Sequence, residues 1–112
     1  MSHVFEVMGQ HAIKFGLKES KELAEFALTY IQRTEEQLKV LLLEKNSKAI
    51  AKYAHKTLGS VRLYGTPKLE MLLCCLRDED YMPEMVPELQ RELFAEFALI
   101  DNALREWLAQ PV

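Results

Sequence analysis

A chain of 112 residues, 49% hydrophobic and 28% charged, carries enough apolar material for one modest core, is too short for two, and lies well away from disordered compositions. Its net charge of −3 argues against nucleic acid as a partner, because such binders draw affinity from a basic surface that neutralises phosphates. No apolar run approaches the roughly 18 residues that span a bilayer, and "MSHVFEVMGQ" has neither the basic region nor the apolar core of a secretion signal. The expectation is therefore a single cytoplasmic domain over residues 1–112 with no membrane partner, and the initiator-like Met1 suggests a free-standing one.

The elements read as helical nearly throughout. Val4, Phe5, Met8, Ala12 and Phe15 suggest a short N-terminal helix lying across the others. In "SKELAEFALTYIQRTEEQLKVLLLEKN" the apolar residues Leu23, Phe26, Ala27, Tyr30, Ile31, Leu38, Leu41 and Leu42 recur at steps of three and four, interrupted at Thr34. This predicts one long amphipathic helix with Ser20 as its N-cap, while Asn46 and Ser47 stop it and cap the next.

A third helix carries Ile50, Tyr53, Ala54, Thr57, Val61 and Tyr64 on one side and ends near Gly65. "TPKLEMLLCCLRD" follows as a short helix with Thr66 as cap and Pro67 at the first helical position, where its missing N–H costs nothing. "DEDYMPEMVP" reads as a connection, and the last helix runs from Pro87 or Glu88 to Leu108 with Leu89, Leu93, Phe97, Ile100, Leu104 and Trp107 or Leu108 inward. No segment shows the alternation of a strand, and short connections favour antiparallel neighbours. The expected fold is all-α: an antiparallel up-and-down four-helix bundle with an additional short N-terminal helix, its methionines and most aromatics in the core. Monomer is preferred, because four amphipathic helices already close one core.

Few residues carry chemistry. Cys74 and Cys75 are adjacent, so they cannot staple distant segments and lack the separated spacing of a zinc site; reduced, buried thiols are expected. His3 and His11 have no third ligand candidate at metal spacing, and no Glu-x-x-His pair supports a metal site in a bundle core, so no metal or other cofactor is expected. "RDED" reads as a solvated turn.

The exception is "AHKTLGSVRLYG", Ala54 to Gly65, which sets a histidine and two glycines in a helical pattern. At about 100° per residue, His55 lies about 150° from the centre of the apolar side and points at solvent. Lys48, Lys52, Gly59 and Arg62 share its stripe, with Lys56 at the edge and Leu58 on the flank as apolar docking surface. Gly59 costs a helix on the order of 1 kcal/mol relative to alanine, and a bare backbone beside His55 lets another protein approach the ring. An imidazole in water is largely neutral at pH 7 and is a competent nucleophile, and cations beside it suit phosphoryl transfer. Ser60 reads as a small packing residue that also hydrogen-bonds a helix carbonyl, since no base and orienting acid flank it.

This stretch resembles the histidine-containing phosphotransfer (HPt) domain, whose pattern is approximately A-H-x-L-K-G-S-(small)-x-x-x-G. Ala54, His55, Gly59, Ser60, Val61 and Gly65 fall in the corresponding places. The likeness covers nearly the whole chain as architecture, and about a dozen residues as motif. It implies that His55 accepts a phosphoryl group from an aspartate of one receiver domain, that of a hybrid sensor kinase, and returns it to the receiver of a response regulator. In that family the receiver provides the acidic site, its metal and most of the catalysis, so the chain is a carrier rather than an enzyme. Leucine and lysine usually follow the histidine at the second and third positions; here those positions are Thr57 and Leu58, and Lys52, Lys56 or Arg62 stand in for the missing cation. The alternative is a helical adapter that binds or sequesters a receiver or kinase through the same face without being phosphorylated.

Overall fold

The computed structural model describes residues 3–110, and the side chains of all of these except residues 3–5, 63 and 64. The described chain forms five helices: α1 (His3–Phe15), α2 (Leu17–Glu44), α3 (Ser47–Tyr64), α4 (Pro67–Arg77) and α5 (Val86–Ala109). A single 3₁₀ turn, Pro83–Met85, precedes α5, and there is no strand among the described residues. The expected inward placements of Val4, Phe5 and Tyr64 lie outside the described side chains. At 1.5 Å per residue the 28 residues of α2 span about 42 Å, nearly the whole 46 Å long dimension of the molecule.

Helix adjacency follows chain order. α2 packs on α3, α3 on α4, α4 on α5, and α5 returns against α2, while α1 lies on α2, α3 and α5. Neither α2 and α4 nor α3 and α5 come within 8 Å between Cα atoms. The core between them contains Ala27, Ile31 and Leu38 of α2, Leu69, Leu73 and Leu76 of α4, and Leu93, Phe97, Ile100 and Leu104 of α5, as their three-and-four spacing requires. Thr34 fits this apolar row because its hydroxyl donates to the Tyr30 carbonyl at 2.9 Å, so burial leaves no polar atom unpaired.

The helix boundaries have local causes. α2 begins at Leu17, three residues before the expected cap, because Gly16 adopts φ +97°, a backbone that favours glycine, and turns the chain between α1 and α2. Ser20 is consequently not a cap but a buried residue of the first turn, and its hydroxyl donates to the Met8 carbonyl of α1 at 2.9 Å. Lys45, left-handed at φ 58°, ends α2, and Asn46 caps α3 by accepting from the Ala49 N–H at 3.1 Å. Gly65 closes α3, Thr66 caps α4 by accepting the Leu69 N–H at 3.1 Å, and Pro67 opens the helix.

Several expected core positions lie elsewhere. Phe15 is exposed at the end of α1, and Phe26 is 72% exposed on the outer side of α2, where no helix packs. Among the described methionines Met8 is buried, but Met71, Met82 and Met85 are exposed, because they belong to an outer helix face and to a connection rather than to an inward stripe. Cys74 and Cys75 are free and half-buried rather than fully buried. Leu58, expected on the exposed flank of α3, is only 2% exposed: α3 sits between α2 and α4, and this second neighbour widens its buried arc.

One bond was not legible in the sequence. Glu96 of α5 is 6% exposed, and its carboxylate accepts from the Thr66 hydroxyl at 2.5 Å. Thr66 thus caps α4 with its oxygen lone pair and gives its proton to α5. Thr66→Ala should lower unfolding free energy by about 2–3 kcal/mol, the sum of a lost cap and a buried carboxylate left without its donor, while Thr66→Ser retains most of it; urea denaturation compares the two.

Candidate functional site

The middle of α3 is built from its two sides. Ile50, Ala54, Thr57, Leu58 and Val61 are buried, and Thr57 satisfies its hydroxyl on the Ala54 carbonyl at 3.1 Å. A helix rolled to bury these residues must turn Lys48, Lys52, His55, Lys56, Gly59 and Arg62 outward, and all six are exposed. Ser60 lies half-buried at the edge, and its hydroxyl has no partner among the described residues, so the expected bond to a helix carbonyl does not form.

The His55 ring has no hydrogen-bond partner among the described residues, and therefore no carboxylate orients it as a triad would. Chemistry here falls to the imidazole itself. α3 contains no carboxylate, so its cations form an uninterrupted basic stripe on a chain of net charge −3. These cations differ in state. Arg62, on the α4 side of the stripe, donates to Glu70 at 2.9 Å, whereas Lys52 and Lys56 have no carboxylate within 4 Å among the described residues. Glu70, eight positions beyond Arg62, shares its surface only because the tight turn at Gly65 folds α4 back beside α3.

The two glycines of the motif answer to different demands. A Cβ on Gly65 would lie 2.5 Å from Val61 Cγ1 and 2.7 Å from the Val61 carbonyl, so close packing at the turn requires glycine. A Cβ on Gly59 would meet nothing within 4 Å. Gly59 sits near the centre of the exposed arc, one turn beyond His55, where the fold makes no demand for it.

Titration elsewhere follows burial. Tyr53, beside the stripe, is raised by burial, with the Thr34 hydroxyl opposing. The Cys75 thiol is raised by burial and by Asp80, Cys74 and Asp78. Burial also raises Tyr81, and Arg77 holds the exposed Asp78 carboxyl below its ordinary value through their hydrogen bond. No cluster of three or more His, Cys, Asp or Glu suited to a metal exists among the described residues, and no described helix is long and apolar enough to cross a membrane. No family model, curated protein or solved structure matches the chain.

Gly59→Ala should raise unfolding free energy by up to about 1 kcal/mol, since alanine is the better helix former and nothing obstructs its methyl. Gly65→Ala should lower it by about 1–3 kcal/mol through the clash with Val61. Thermal or urea denaturation of both reads the opposite signs.

Proposed function

We propose that the chain is a histidine phosphotransfer protein of a multistep two-component relay, acting in the cytoplasm as a monomer, with His55 as phosphoacceptor. The observation that carries this reading is an unpartnered, solvent-facing imidazole on a carboxylate-free helix, with open space beside it at Gly59. The cyclic adjacency of α2, α3, α4 and α5 supports an antiparallel up-and-down four-helix bundle with α1 laid across it. That architecture accompanies the motif in the HPt family, which "AHKTLGSVRLYG" resembles.

The chemistry is a displacement at phosphorus. A lone pair on an imidazole nitrogen attacks the aspartyl phosphate of a receiver, the P–N bond forms, the bond between phosphorus and the carboxylate oxygen breaks, and the carboxylate leaves with that electron pair. Transfer to a second receiver reverses these events. Such transfer depends on positioning and on cations near the moving oxygens. Lys52 and Lys56 supply these from positions free of ion pairs, and Arg62 joins them when a partner displaces Glu70. Leu58, whose position usually carries lysine in the family, serves the core instead, which transfers the cationic duty to its neighbours on α3.

A phosphorylation-silent adapter that binds a receiver through this face is the second reading, and burial of Leu58 where the family has lysine is what favours it. Incubation with a phosphorylated receiver and Mg²⁺ separates the two. Label should reach the wild type, be acid-labile, and be absent from His55→Gln at unchanged helicity; receiver binding without label on the wild type establishes the adapter instead. Replacing Lys52 and Lys56 by alanine should slow transfer about tenfold or more with a smaller loss of receiver affinity, and equal losses would make them docking residues.

A further inference from the structure

At the end of the molecule where α2 and α4 finish and α3 and α5 begin, an open cavity of about 610 Å³ separates the helix ends. Leu42, Ile50, Leu76, Val86 and Leu89 form its walls, and Tyr81 and Pro83 of the connection line one side. Leu43, Met82 and Met85 stand at this end with exposures of 81%, 59% and 48%, leaving much apolar surface uncovered. The 3₁₀ turn packs on α5 but not across the cavity on α2 or α3, so the space remains open between the connection and the helix ends.

The charges around this trough have one dominant sign. No carboxylate lines it, but the residues flanking the lining include the exposed Glu44, Glu79, Asp80 and Glu84. None of these four has a cationic partner within 4 Å among the described residues, whereas Asp78 and Glu88 are paired with Arg77 and Arg91. Against these four unpaired carboxylates stand two unpaired cations, Lys45 in the lining and Lys48 beside Ser47, so the rim as a whole is acidic. An apolar floor, exposed methionines beside it and an acidic rim form the complement of a helix that is apolar on one face and basic on its flanks.

We propose that this trough docks a basic amphipathic helix of a partner protein. The cross-section of 21 × 20 Å limits the docked segment to about 13 residues, or between three and four turns. Anchors at i, i+3 or i+4 and i+7 enter between Leu42, Ile50 and Leu89, and lysines or arginines on the flanks meet Glu44, Glu79, Asp80 and Glu84. The rim charges steer encounter and orientation, and the apolar trough supplies most of the affinity. The site is distinct from the middle of the His55 stripe, where Lys52, Lys56 and Arg62 would repel such a helix; Lys48, in the first turn of α3, lies between the two.

The test uses the full chain and a fluorescein-labelled peptide of about 14 residues with leucines at the anchor spacing and lysines elsewhere, read by anisotropy at several salt concentrations and by amide shifts. Binding is expected, weakened by salt, with shifts at Leu43, Ile50, Val86 and Leu89. Leu43→Asp, and separately the combined Glu79→Lys, Asp80→Lys and Glu84→Lys, should each weaken binding about tenfold or more, while Leu99→Asp, exposed on the flank of α5, leaves it unchanged. Equal binding of a glutamate-for-lysine peptide or a composition-matched scramble, shifts confined to the His55 stripe, or no binding by about 1 mM would overturn the proposal. So would a wild-type dimer abolished by Leu43→Asp, which would assign the trough to a second copy.

Discussion

The roll of α3 about its own axis is the constraint on which the candidate site depends. Burial of Ala54, Thr57, Leu58 and Val61 fixes that roll, and a step of one residue, about 100°, would carry apolar side chains into water and charged ones into the core. Thr66 locks the arrangement at the end of the helix. It follows directly on Gly65, caps α4 and bonds Glu96 of α5, so one turn ties three helices together. The direction in which His55 points is therefore set by packing and by this corner, with no hydrogen bond to the ring itself among the described residues.

The same roll separates charge. All cations of α3 emerge on one stripe without a carboxylate among them, although the chain as a whole is acidic. At physiological ionic strength charges are screened over about 8 Å, so the local sign, rather than the net charge, decides what each surface attracts. The stripe is suited to an anionic centre, and the acid-rimmed trough at the end of the bundle to a cation. Arg62 qualifies this picture because Glu70 already engages it, and an exposed pair of that kind is worth about 1 kcal/mol at most. In the proposed transfer an incoming anion would exchange that partner at low cost, which would make Arg62 a conditional member of the stripe beside Lys52 and Lys56.

Much of this was legible in the sequence because it is local. The three-and-four spacing that identifies the inward rows of α2 and α5 and the caps at Asn46 and Thr66 each depend on residues within a few positions, and each is where local rules place it. The misplacements share a cause in tertiary neighbours. Leu58 is buried because α4 folds back along α3, while Phe26 and Phe15 are exposed because no helix reaches their faces. Thr66 with Glu96, and Arg62 with Glu70, join residues 30 and 8 positions apart across turns whose geometry no periodicity encodes. Gly16 lay before the apparent cap at Ser20, and its positive φ moved the start of α2.

Gly59 and Gly65 show how a functional signal separates from a structural one. Both occupy the same short motif; the sequence reads Gly65 as a helix terminator and Gly59 as a bare backbone beside His55, and the fold tells the two apart. At Gly65 the fold leaves no room for a methyl group, so stability accounts for the residue. At Gly59 the helix continues uninterrupted and the space beyond the backbone is empty, so alanine would be the better residue for the fold taken by itself. The fold by itself therefore gives no reason for glycine at this position, and the proposed approach of a partner to the backbone one turn from His55 rests on that feature. The reading of His55 as a group presented to another molecule thus rests on a helix that gives up stability beside it.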